Sequence, residues 1–144
     1  MAVRILILCT GNSSRSQMAE GLLRSFDSNL EVFSAGTNPA SRISSHTVTV
    51  MKEIDIDISG SYPKSVSQFI SQSFHYVITV CDHAKETCPV FTGKVINQIH
   101  IGFDDPSKAH GNEEEILIEY RRVRDDMRAR LLELFKTIPV SGKG

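Results

Sequence analysis

Val3-Arg4-Ile5-Leu6-Ile7-Leu8 runs directly into Cys9-Thr10-Gly11-Asn12-Ser13-Ser14-Arg15-Ser16, and these residues decide the fold. The apolar run has no helical periodicity and predicts a central strand covered on both faces. The polar stretch after it predicts a turn. Beyond the turn, Met18, Ala19, Leu22 and Phe26 fall on one stripe of a helix. Strand, tight loop and helix in that order begin an α/β sheet, whose ligands bind beyond the carboxyl ends of the strands.

The rest of the chain repeats the alternation. Leu30 to Ser34, closed by Ala35-Gly36, predicts a second strand. Ser44 to Ile54, with Val48, Met51 and Lys52, predicts a helix, and Ser65 to Phe74, after Pro63, another. Tyr76 to Val80 and Lys94 to Ile101 predict the third and fourth strands. Asn112 to Thr137 is the clearest helix, because Ile116, Tyr120, Val123, Met127, Leu131 and Leu134 step by three or four. Its charged face should pair Asp125 with Arg128 and Asp126 with Arg130, its Glu113-Glu114-Glu115 start suits the helix dipole, and Pro139 ends it. The expected architecture is a four-stranded parallel sheet with helices on both faces, as a single domain over residues 1–140 with a flexible tail at 141–144.

Composition narrows the function. The 144 residues are 40% hydrophobic, enough for a core, and 16 Lys+Arg against 17 Asp+Glu leave a net charge of -1. That balance argues against a protein held to nucleic acid or anionic lipid by bulk charge. No run is long enough to span a bilayer and no export signal is visible, so the expected location is the cytoplasm. Trp is absent, which leaves a poor endowment for an aromatic binding platform. Three cysteines are too few for a disulfide scaffold and in a reducing compartment are expected to be free, buried or reactive.

Each part of the first loop has a chemical use. Gly11 and Asn12 tolerate left-handed backbone, so successive amides can turn inward as an anion nest. The following helix adds its free N–H groups and positive dipole end. Arg15 supplies a planar fork for two oxyanion oxygens. Cys9 lies at the base of this bowl, where the amides, Arg15 and a bond from the Ser16 hydroxyl would favour its thiolate. Thr10, Gly11, Asn12, Ser13, Ser14 and Arg15 are the expected anion-binding residues. The loop lacks the Gly-Lys-Ser/Thr ending of a nucleotide site.

Cys81 follows the third strand as Cys9 follows the first. In a flavodoxin-type order those strands are neighbours about 4.8 Å apart, so the two thiols could meet after modest movement. Cys88 lies seven positions on, and bonding it to Cys81 requires residues 82–87 to loop out. The three sulfurs are compatible with a relay. They are also compatible with two unrelated cysteines, or with a zinc site in which Cys81, His83 and Cys88 lack an evident fourth ligand. The remaining histidines form no pair at metal spacing. After the fourth strand, Asp104-Asp105-Pro106 offers a carboxylic acid at the same edge, with Pro106 restricting Asp105, or else an ordinary Asp-Pro turn.

The run CTGNSSRSQMAEG from Cys9 to Gly21 resembles the active-site loop of low-molecular-weight protein tyrosine phosphatases and thioredoxin-coupled arsenate reductases, as does Ser34-Ala35-Gly36. Thr79-Val80-Cys81 with Cys88-Pro89-Val90, Gly102 to Pro106, and Arg121-Arg122-Val123-Arg124-Asp125 resemble the reductases. Ser107 stands where the phosphatases usually carry an aromatic residue, and Ser14 where many reductases carry a cysteine. The resemblance implies a three-layer α/β sandwich of strand order 2-1-3-4. It also implies arsenate as substrate with phosphate competing, catalysis by Cys9, Arg15, Ser16, Cys81, Cys88 and Asp105, and thioredoxin as external reductant. No bound organic cofactor or metal is implied, and a monomer is the default. Some members bind a potassium ion; Asn12, Glu20 and Ser34 match its ligands, whereas Lys64 replaces the acidic ligand and its ammonium would take the ion's place. Alternatives are a phosphotyrosine phosphatase, a redox-sensing interaction protein and a non-enzymatic oxyanion-binding module.

Overall fold

The structure is a computed structural model that describes residues 2–82 and 89–139. Cys88, His83 and the expected tail at 141–144 lie outside the described residues. Four parallel strands, β1 (Arg4–Cys9), β2 (Glu31–Gly36), β3 (Ser73–Thr79) and β4 (Lys94–His100), form one sheet in the order β2-β1-β3-β4. This is the expected order. It places β1, whose Ile5, Leu6, Ile7 and Leu8 are fully buried, at the centre, between β2 and β3.

Three α-helices, α1 (Arg15–Phe26), α2 (Ser45–Lys52) and α3 (Glu113–Phe135), pack with one sheet face. Alternate residues of β1, Ile5 and Ile7, meet Met18 and Leu22 of α1 and Met127 and Leu131 of α3 in one buried cluster. Ser44 caps α2 by accepting from the Thr47 amide, so the helix starts where the sequence predicts and ends earlier, at Lys52. Asn112 and Glu115 form a capping box at the start of α3, reinforced by its acidic first turn. On its charged face Asp126 pairs with Arg130 at 3.4 Å, but Asp125 takes Arg124 at 2.8 Å, not Arg128.

The other sheet face corrects the sequence reading. Residues 65–74 are not a helix. A short 3-10 turn, Val66–Gln68, is followed by Phe69, and β3 already begins at Ser73. Ser65 and Ser67 explain the change: the Ser65 side chain accepts from the Ser67 amide and caps a turn in place of a helix. Phe69, Phe74 and Phe91 then cover Leu6 and Leu8, giving this face a thin aromatic layer. β4 is a largely exposed edge strand. No helix among the described residues is long and apolar enough to cross a membrane.

Candidate active site

The β1–α1 loop lines the floor of a cleft of about 1180 Å³ at the carboxyl edge of the sheet. The walls carry Asp82 after β3, Asp104, Asp105, Ser107, Lys108 and His110 after β4, and Glu115, Ile118 and Glu119 of α3. A tetrahedral oxyanion fills only the floor of such a cleft.

The loop is built to present amides. Asn12 adopts a left-handed conformation, φ 53°. Every carbonyl from residue 10 to residue 14 is engaged by a donor: Thr10 by the Asn38 amide, Gly11 by Ala40, Ser13 by Ser44 and Ser14 by Met18, each at 2.9 Å, and Asn12 by the Gln17 side chain at 3.1 Å. In a planar trans peptide the next residue's N–H points opposite to the carbonyl. The amides of residues 11–15 are therefore turned away from those donors. Among the described residues, the amides of residues 11–14 donate to no carbonyl or side chain. This is the arrangement of an anion nest above a helix N-terminus. The approach of the 36–44 segment is tight: a Cβ on Gly36 would lie 2.3 Å from the Thr10 oxygen, so only glycine fits. Ser14 Oγ is buried with no hydrogen-bond partner among the described residues.

Cys9, at the end of β1, is buried and not in a disulfide. Arg15, in the first turn of α1, is buried. Its Nη1 donates to the Phe103 carbonyl at 3.2 Å and its Nη2 stands 3.5 Å from Asp105 Oδ2. The other Asp105 oxygen accepts from the Ser107 amide (3.0 Å) and hydroxyl (2.6 Å), which orients the carboxylate. Asp104 turns the other way and accepts from Arg122 at 2.8 Å. Ser16 is buried, and its hydroxyl accepts from Asn12 Nδ2 at 2.8 Å.

Cys81 is fully buried and disulfide-bonded. Leu8 pairs with Thr79, and the Val80 amide donates to the Leu8 carbonyl. Cys9 and Cys81 therefore leave adjacent strands at the same sheet edge. The Phe103 amide donates to the Val80 carbonyl, tying the aspartate loop to that edge too.

Beneath the loop, Asn12 Oδ1 accepts from the Lys64 amide at 2.9 Å, and Glu20 accepts from Ser34 Oγ at 2.7 Å. Lys64 Nζ donates to the Tyr62 carbonyl at 3.0 Å. Burial pulls the Lys64 ammonium below its ordinary pKa, and the Glu20 charge opposes that shift. Among the described residues no group of three or more His, Cys, Asp or Glu could hold a metal.

Gln17 and the 36–44 amides were not among the expected site residues, and Arg122 was named only within the run that resembles the reductases. Gln17 carried no signal, because it falls opposite the Met18, Leu22 and Phe26 stripe of α1. The 36–44 amides carried none, because backbone donors leave no residue signature.

The parallel sheet and the Cys–x5–Arg loop at its carboxyl edge define an α/β protein of the phosphatase-like class. The chain belongs to the low molecular weight phosphotyrosine protein phosphatase family, whose pattern matches residues 4–142. It is 42% identical over 140 residues to an arsenate reductase of Halalkalibacterium halodurans, covering 96% of each chain. It is 40% identical over 134 residues to an arsenate reductase of Bacillus subtilis, covering 92% of this chain and 95% of that one. Its fold is similar to a solved arsenate reductase in the phosphate binding state, with TM-score 0.78, 26% identity and coverage of 94% of this chain and 98% of that one. It is also similar, in fold alone, to a low molecular weight protein tyrosine phosphatase from T. tengcongensis, with TM-score 0.73, 22% identity and coverage of 95% and 100%.

Proposed function

We propose that the protein is a thioredoxin-dependent arsenate reductase of the cytoplasm, where thiols are kept reduced. The observation that carries the reading is the placement of Cys9 and Cys81 at the ends of adjacent strands beside an amide-lined bowl. Arsenate enters the bowl and is held by the loop amides, the Ser14 hydroxyl and Arg15. The Cys9 thiolate, favoured by that field and by Ser16, attacks arsenic while Asp105 protonates the departing oxygen. An S–As bond forms and water leaves. Cys81 then attacks the Cys9 sulfur, the S–As bond breaks with its electron pair going to arsenic, and arsenite departs. Cys88 attacks Cys81, releasing Cys9 and leaving a Cys81–Cys88 disulfide, which a thioredoxin dithiol reduces. Lys64 supplies the positive charge below the loop, so neither a potassium ion nor any other bound cofactor enters the reading.

A phosphotyrosine phosphatase would share the first step and then admit water. The cleft carries no Phe, Tyr or Trp among its described lining residues to stack a tyrosyl ring, and Ser107 follows Pro106. The reductase reading is therefore favoured, with slow hydrolysis of aryl phosphates as a side activity.

The test is a coupled assay with arsenate, thioredoxin, thioredoxin reductase and NADPH. The parent protein turns over, and Cys81→Ser abolishes reductase turnover while slow aryl phosphate cleavage survives. Full arsenite turnover by Cys81→Ser would remove the relay.

A further inference from the structure

Of the five loop carbonyls that point away from the bowl, four are held by backbone amides and one, that of Asn12, by a side chain. That side chain is Gln17, itself 1% exposed. Its Nε2 lies 3.1 Å from the Asn12 carbonyl, 3.2 Å from Asn12 Oδ1 and 3.1 Å from the Tyr62 carbonyl. Two N–H protons are thus shared among three oxygens. The opposite end of the amide, Gln17 Oε1, is buried with no partner among the described residues. Flipping the amide would set Oε1 against the three acceptor oxygens, so the surroundings fix the donor end toward Asn12. An unsatisfied buried acceptor is retained to keep that donor in place, and such exceptions call for a functional explanation.

The peptide that Gln17 holds joins Asn12 to Ser13. It follows the left-handed residue of the loop, φ 53°, where a non-glycine backbone is least self-supporting. The Asn12 side chain is locked by the same contact: Oδ1 accepts from Gln17 and the Lys64 amide, which leaves Nδ2 to donate to Ser16.

We infer that Gln17 is a positioning residue that keeps the Asn12–Ser13 peptide turned so that its N–H faces the oxyanion bowl. It touches neither substrate nor the reacting sulfur. Without it this carbonyl has no fixed donor, and the peptide is free to rotate and present oxygen to an anion. The inference rests on the proposed role of Cys9 and its bowl, and its test separates the two.

The experiment measures alkylation of Cys9 by iodoacetamide in the reduced full-length protein, resolved from the other cysteines by peptide mass spectrometry, with arsenate or phosphate as protecting ligand. Three proteins are compared: parent, Gln17→Met, which keeps length and removes both donors, and Met127→Ala, a core truncation in α3 remote from the loop. In Gln17→Met, the oxyanion concentration that half-protects Cys9 rises about tenfold, the effect of losing one well-placed hydrogen bond. The pH midpoint of Cys9 alkylation also moves upward. Met127→Ala lowers thermal stability and moves neither quantity. Should Gln17→Met fail to fold, Gln17→Asn, whose amide is one methylene short of Asn12, gives the same two shifts. Half-protection at parental concentrations in whichever variant folds overturns the assignment of Gln17 and leaves the bowl intact. A parent protein in which neither oxyanion protects Cys9 overturns the reading of the bowl itself.

Discussion

Asp104 and Asp105 are adjacent in the chain and face different cations, one Arg122 on the outer side of α3 and the other Arg15 on the floor of the cleft. The sequence reading takes Asp105 as the acid, because Pro106 restricts it, and expects Asp104 to be solvated or bonded to the backbone. The structure gives each a different contact: Asp105 pairs with Arg15, the arginine of the loop, and Asp104 with Arg122. Asp105→Asn should slow formation of the Cys9–arsenic adduct about 100-fold, the lower end of the usual contribution of a general acid. Asp104→Asn should change it far less. Rapid-quench measurement of the adduct distinguishes the two, and an unchanged rate in Asp105→Asn removes it as the acid. Cys9, Arg15 and the loop between them were legible because the chemistry is local and every part is a side chain or a glycine. Gln17 was not, since its partners Asn12 and Tyr62 come together only once the 60–64 segment folds under the loop.

The elements that hold the site are locked by charge as well as by packing. Glu53, just after α2, accepts from Arg121 at 2.9–3.1 Å and from Arg124 at 2.8 Å. Arg124 is almost buried and also donates to the Val50 carbonyl, so this network fastens α2 to α3. The Arg121 hydrogen bonds, chiefly, hold the Glu53 carboxyl below its ordinary value of 4.5. A depressed carboxyl contributes stability that is present above the unfolded pKa and is lost as pH falls through the folded one. Glu53→Gln should therefore destabilise the protein by about 1 kcal/mol near neutrality, a value discounted for partial exposure. Urea midpoints for parent and variant should converge below pH 4.5 and differ above it; a gap that widens on acidification contradicts the assignment. The same elements show where local pattern gave way to tertiary structure. α3 was legible from its stripe and its cap. Residues 65–74 were misread because Val66, Phe69 and Ile70 mimic a helical stripe, while Phe69 and Phe74 in fact meet Phe33 across the sheet face.

The sheet order unites these parts. Only with β1 between β2 and β3 do the loop after β1, Cys81 after β3 and the aspartate loop after β4 converge on one edge. The alternation of strands and helices made a parallel sheet readable, whereas its order was implied by the resemblance of the loop motifs. The outward-facing donors were not readable, because they depend on how 36–44 docks beneath the loop. The central claim is that Cys9 passes its oxidation to Cys81. A single turnover of arsenate by the reduced Cys88→Ser variant tests it most directly, with the product disulfide mapped by mass spectrometry. The account predicts one arsenite per protein and a trapped Cys9–Cys81 bond. Arsenite release with both cysteines still reduced, or an arsenate-treated protein in which Cys81 never joins Cys9, would contradict it.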